Sequence, residues 1–158
     1  MSDQNINLAV EALKAKDYQA AERAFSEQIK VLASDDGQYN LVSSYLGLAK
    51  VLSDDIDGLL LCRDAASNEV FDGQVYLNLA CAEWSANNRR RAVDAIRRGV
   101  KIDAANHQLN RACAQLDCRK KCCFGFLPRG HKLNRIFGRL RRRSGQPVTV
   151  HQLLFSAG

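Results

Sequence analysis

Proline is scarce in this chain of 158 residues, which has only Pro128 and Pro147. Because proline interrupts helices, its scarcity beside abundant Ala, Leu and Arg predicts an all-α protein. No apolar run approaches the ~20 residues that a membrane-spanning helix needs. The opening segment MSDQNINLAV has neither a basic start nor a cleavage motif. We therefore expect no secretory signal and a cytoplasmic location.

Acidic residues are absent after Asp117. Residues 1–117 hold 13 Lys/Arg and 17 Asp/Glu, a sum of −4, whereas residues 118–158 hold 10 Lys/Arg and no acid, a sum of +10. This asymmetry predicts a mildly acidic body with a cationic tail. We place a helical repeat domain at 1–121 and a basic amphipathic extension at 122–158.

The sequence also lacks recognisable catalytic motifs. The sequence has no glycine-rich phosphate loop, no nucleophile elbow and no pair of histidines on one helix face, so we predict no enzymatic activity and no cofactor. One set has the residue types of a zinc site: Cys118, Cys122, Cys123 and His131. It lacks a second C-x₂-C pair, and adjacent cysteines rarely bind the same ion, so we predict no metal site and interpret the cysteines as small hydrophobic residues.

What the body does contain is a repeated spacing. Three segments align with internal steps of 12 and 7 residues, and most of the aligned residues are small. The nine positions are Ala9, Ala21 and Gln28, then Gly47, Leu59 and Ala66, then Ala80, Ala92 and Gly99. Small residues at this spacing allow two antiparallel helices to approach closely and the next hairpin to stack on the second helix. Polar turns are expected at Lys16–Asp17, at Ser53–Asp55 and at Asn87–Asn88.

The segments KDYQAAERAFSEQIKVLASDD and RRRAVDAIRRGVKIDAAN resemble second helices of the tetratricopeptide repeat family. The resemblance covers about residues 2–106, with a following helix from His107 to about Lys121 in the place of a capping helix. It implies a right-handed superhelix of about three antiparallel hairpins with degenerate repeats. The alternative is an ordinary antiparallel helical bundle.

The resemblance also implies a concave groove lined by the first helix of each hairpin. Such a groove holds a partner's extended peptide or amphipathic helix. The implied groove residues are Ile6, Val10, Leu13, Lys14, Leu41, Ser44, Leu48, Val51, Gln74, Leu77, Cys81, Trp84, Gln108, Arg111 and Gln115. For Trp84, the only tryptophan, we favour packing between repeats over the role of an anchor for a partner.

The basic tail has an amphipathic pattern. Leu133, Ile136, Phe137 and Leu140 recur at one helical face. The cations around them are Arg129, Lys132, Arg135, Arg139, Arg141, Arg142 and Arg143. This helix is expected to pack on the repeats, to lie on an anionic membrane, or to contact phosphates or an acidic partner. The last segment, VTVHQLLF, is expected to form a short strand or a docking segment.

Together these patterns favour a protein–protein interaction scaffold, either an adaptor or a chaperone-like subunit. The alternative function is peripheral association with an anionic membrane surface or nucleic acid through the arginine-rich helix. The groove interpretation predicts partner binding that survives deletion of residues 129–158 and is lost on Leu77→Glu. A further hypothesis is that the tail docks in the groove and is displaced by a partner.

Overall fold

The computed structural model describes residues 2–116 and 148–155, and every regular element in these two ranges is an α-helix. This confirms the predicted all-α class. The helices are α1 (Ser2–Lys14), α2 (Tyr18–Val31), α3 (Tyr39–Leu52), α4 (Gly58–Asn68), α5 (Gly73–Ser85), α6 (Arg89–Ile102), α7 (His107–Gln115) and α8 (Val150–Phe155). The expected basic helix at 129–143 lies outside the described residues, as does the end of the expected capping helix beyond Leu116.

The first six helices form three hairpins, α1/α2, α3/α4 and α5/α6, joined by the same type of turn. Each turn holds one non-glycine residue with positive φ: Lys16 at 63°, Asp54 at 67° and Asn87 at 61°. The three turn residues are 38 and 33 residues apart. The aligned positions 21, 59 and 92 are separated by the same distances along the sequence. The turns therefore lie in the polar segments where the sequence predicted them.

Each turn closes with the same hydrogen bonds. The residue after the positive-φ position donates its amide to a carbonyl five residues earlier, from Asp17 to Ala12 at 2.9 Å and from Asn88 to Glu83 at 2.7 Å. The positive-φ residue itself donates to the carbonyl three residues earlier, as Lys16 does to Leu13 at 3.1 Å. This is a Schellman motif, which satisfies the last carbonyls of the first helix. The same turn therefore recurs in all three hairpins.

Small residues lie at the closest helix contacts. A methyl group added at Gly47 would lie 2.5 Å from the Gly58 carbonyl oxygen, so α3 and α4 approach backbone to backbone. Leu59, which the alignment placed at the second position, directly follows Gly58 and is buried. A methyl group at Gly99 would lie 2.8 Å from Cβ of Tyr76 and 2.9 Å from Leu109, so this residue allows α7 to stack on the third hairpin.

Neighbouring hairpins pack in chain order. Helix α2 packs on α3, α3 and α4 pack on α5, and α6 packs on α7. Phe25 and Tyr45 stack between the first two hairpins with ring centroids 5.3 Å apart. Between the second and third, the buried Asn78 amide donates to Ser44 Oγ at 2.9 Å. This stacking brings α5, α7 and the end of α1 close to α8.

Candidate functional site

Helix α8 packs on α5 and α7 and contacts the end of α1. We call the surfaces of α1, α5 and α7 that it covers the α8 face. Leu153 and Leu154 are 3% and 4% exposed. They belong to the same hydrophobic cluster as Leu77 and Leu109. The α8 face is therefore continuous with the main core.

Phe155 extends this contact to the first hairpin. Its side chain packs against the main cluster and also against the cluster formed by α1, α2 and α3. The Lys14 ammonium lies 5.8 Å from the centroid of its ring. The His151 ring meets the same phenylalanine edge-on at 5.3 Å. One short segment thus touches both ends of the array of hairpins.

Two polar contacts join this segment to the hairpins. The Trp84 indole Nε1–H donates to the Val148 carbonyl oxygen at 3.0 Å. His151 Nε2 lies 3.0 Å from the Lys14 carbonyl oxygen. A carbonyl can only accept, so this second contact requires a proton on Nε2. It also provides a partner for a carbonyl in the last turn of α1, which has none within its own helix.

The start of α8 is capped from within the segment. Thr149 Oγ1 accepts from the Gln152 amide at 3.3 Å, and Gln152 Oε1 accepts from the Thr149 amide at 3.0 Å. This reciprocal pair is a capping box. A helix of six residues is unstable alone, because isolated helices need about 12–15 residues even for marginal stability. Packing on the α8 face, with help from the cap, therefore stabilises it.

Trp84 is held from two sides. It is half-buried against the main cluster, and the guanidinium carbon of Arg89 lies 4.9 Å from the centroid of its ring. Sequence reasoning weighed packing between repeats against anchoring a partner. In the structure the ring packs on the core while its N–H binds the backbone of the C-terminal segment.

The predicted groove residues fall into three groups by exposure. Seven are buried: Ile6, Leu13, Ser44, Leu48, Val51, Leu77 and Cys81. Six are half-buried: Val10, Leu41, Gln74, Trp84, Arg111 and Gln115. Lys14 and Gln108 are exposed.

The structure brings these residues together in two sets. Leu48, Val51, Leu77, Cys81 and Trp84 belong to or pack against the cluster that contains Leu153 and Leu154. Ile6, Leu13, Val10 and Leu41 belong to or pack against the cluster of the first hairpin. Their role in binding a partner stays a prediction.

The structure changes the meaning of two tests suggested by the sequence. Leu77 is fully buried, so Leu77→Glu would place a charge in the core and unfold the protein without probing a surface. Deletion of residues 129–158 would remove α8 along with the basic tail. Sequence reasoning did not assign Leu153, Leu154 and Phe155 to the site, although the docking interpretation of VTVHQLLF pointed toward them.

The buried thiols offer no nucleophile near neutral pH. Burial raises the pKa of Cys62 to about 12 and also raises the pKa of Cys81. A thiol is reactive as its thiolate, which such pKa values suppress. We interpret both cysteines as packing residues of the core.

A second concave region lies between α4, α5 and α6. It is a pocket of about 410 Å³ lined in part by Arg63, Ser67, Arg91 and Arg98. The buried carboxylate of Glu83 accepts from Arg63 Nε at 2.8 Å and from the Asn88 side chain at 2.8 Å. These contacts compensate for the burial of the carboxylate, so we assign Glu83 a structural role.

Other predicted features fall partly outside the described residues. Cys118, Cys122, Cys123 and His131 lie there, as do the cations of the tail. Within residues 2–116 and 148–155, no three His, Cys, Asp or Glu side chains cluster as metal ligands would. In the same ranges no helix has the length and apolarity to cross a membrane.

No protein-family model matches this chain, and no curated protein is significantly similar to it.

Proposed function

We propose that this protein is an interaction module, either an adaptor or a chaperone-like subunit, that binds a short apolar or amphipathic helix of another protein on the α8 face. The observation that carries the proposal is α8 itself. This surface accepts a short helix through two leucines and a phenylalanine, and Trp84 binds the backbone ahead of that helix. A surface with these properties suits helix-in-groove recognition.

The repeated hairpins support a finer form of the proposal. The identical turns at Lys16, Asp54 and Asn87 and the resemblance to tetratricopeptide repeats favour an array in which the first helices line one side. In such an array the α8 face belongs to the groove. Its rim would then include the exposed or half-buried side chains of Lys14, Gln108 and Arg111.

The experiment that tests the proposal is site-specific photo-crosslinking in the native cell. A photoreactive amino acid would replace Gln108, which is exposed on the predicted groove side of α7. The matched control is Ala114, an exposed residue of the same helix that the groove assignment does not include. We expect one protein to crosslink from 108 and not from 114, and the crosslink to be lost when excess VTVHQLLF peptide is added. Equal crosslinking from both positions would contradict the proposal.

A second function is favoured by a different surface. Helix α6 exposes a row of cations, whose only acidic neighbour on the helix is Asp94. They are Arg89, Arg90, Arg91, Arg97, Arg98 and Lys101. We propose that this helix adds to the basic tail in binding an anionic membrane surface or nucleic acid. Such binding would weaken steeply with salt, because it depends on released counterions and screened charges.

A further inference from the structure

We propose that residues 148–155 are an internal ligand of the α8 face, and that the partner's segment has the same chemistry and must displace them. This inference rests on the proposed function, since a competitor matters only if a partner uses the same surface. The partner segment would be a short helix with two adjacent leucine-like residues followed by an aromatic residue. The second residue before its helix would present a free carbonyl oxygen to Trp84, as Val148 does.

The first argument is the way in which the segment is attached. Its contacts to the body include packing by Leu153, Leu154 and Phe155, with Val148 and Val150 beside them, one hydrogen bond to Trp84 and one to Lys14. All of these contacts can be made equally well by a segment of another chain. The helices α5 and α7 beneath it begin at side-chain caps of their own, Asp72 and Asn106, so their first turns do not need α8.

The second argument is the marginal stability of α8. A helix of six residues gains little from its own backbone, so its docked population depends on the surface and on the Thr149–Gln152 capping box. When a site is open for only a fraction of the time, the apparent Kd of a competing ligand equals the intrinsic Kd divided by that fraction. A change confined to the cap should therefore alter ligand affinity without touching the surface that binds the ligand.

Thr149→Ala is that change. Thr149 is exposed, and its hydroxyl caps α8. Loss of a threonine cap costs about 1 kcal/mol, equivalent to about fivefold in the docking equilibrium. The stronger variant is Leu153→Glu with Leu154→Glu. It removes two buried leucines and should open the face by at least about 100-fold.

The experiment measures binding of a fluorescent peptide, VTVHQLLF, to the full chain by anisotropy. The control probe is the same peptide with glutamate at both leucines. We expect weak binding to the wild type, about fivefold tighter binding to the Thr149→Ala protein, still tighter binding to the double variant, and no binding of the control peptide. Circular dichroism checks that each variant remains helical. If the double variant unfolds, the Thr149→Ala result alone tests the inference.

Two outcomes would overturn the inference. One is equal peptide affinity for the wild type and the Thr149→Ala protein. The other is concentration-dependent dimerisation of the Thr149→Ala protein with no gain in peptide binding, since this would mean that the segment exchanges between two copies. Both outcomes can be observed with the purified protein and the peptide, without the partner. If the peptide binds as expected but no protein crosslinks from position 108, the proposed function fails while the internal ligand stands.

Discussion

Replacing Gly47 by alanine should destabilise the protein, although it adds a better helix former. A methyl group there would lie 2.5 Å from the Gly58 carbonyl oxygen, 2.8 Å from Cys62 Sγ and 2.9 Å from Cys62 N. Two of these atoms are backbone atoms of α4. The clash can be relieved only by moving one helix away from the other.

The magnitude follows from two opposing effects. Alanine in place of glycine inside a helix gains about 1 kcal/mol of helix propensity. Overpacking a core contact costs about 1–3 kcal/mol, and a contact with backbone atoms falls at the upper end. We expect a net loss of about 1–2 kcal/mol in the free energy of unfolding. For a protein of this length, that loss lowers Tm by about 2–8 °C.

The assay is urea and thermal unfolding followed by far-ultraviolet circular dichroism, with Gly37→Ala as the matched control. Nothing lies within 4 Å of a methyl group at Gly37, which is in the loop between α2 and α3. The control should be neutral or more stable by up to about 1 kcal/mol, because alanine restricts the unfolded chain. A Gly47→Ala protein as stable as the wild type would refute the close approach of α3 and α4.

Three further predictions concern buried polar contacts, pH and charge. Asn78→Ala should lower the free energy of unfolding by about 2–3 kcal/mol, because it leaves a cavity and removes the donor to buried Ser44 Oγ. A loss below about 0.5 kcal/mol in urea unfolding would contradict this prediction. Burial opposes ionisation of Glu69, yet amide hydrogen bonds from Asp72 and Phe71 and the Asn40 side chain hold its pKa below its ordinary 4.5. The unfolded chain therefore takes up the proton first, so the stabilisation by Glu69 is present above about pH 4.5 and lost as the pH falls through the folded pKa. Urea unfolding from pH 7 to 3.5 should show a flatter acid dependence for Glu69→Gln than for the wild type, and identical slopes would contradict the assignment. Glutamine at Arg141, Arg142 and Arg143 should weaken sedimentation with anionic vesicles at low salt but not with neutral vesicles, and unchanged sedimentation would exclude a role for these arginines.

The sequence carried more information about the hairpins than about the site. Glycines, alanines and polar turns recur at fixed steps, and close packing and reversal of the chain depend on such local residue choices. In the second hairpin Gly47 meets Gly58, the residue before the aligned Leu59, because spacing alone does not decide which of two adjacent residues makes the closest contact. The structure of the recurring turn then follows from backbone hydrogen bonding that each hairpin repeats.

The docking of α8 was harder to predict for a physical reason. A segment of eight residues is too short to distinguish a helical period from a strand period. Its partners are also remote in sequence: His151 meets the carbonyl of Lys14, 137 residues away. Local propensity gives no information about such a contact, which depends on where stacked hairpins place the ends of α1 and α5.

The most direct measurement of the central claim is hydrogen exchange at the indole N–H of Trp84, observed by NMR in the full chain. Because this is the only tryptophan, its indole N–H gives a single signal. The hydrogen bond to the Val148 carbonyl predicts slow exchange in the wild type and exchange about fivefold faster in the Thr149→Ala protein, where the segment undocks more often. Exchange in the wild type as fast as in a free indole would show that residues 148–155 do not occupy the α8 face.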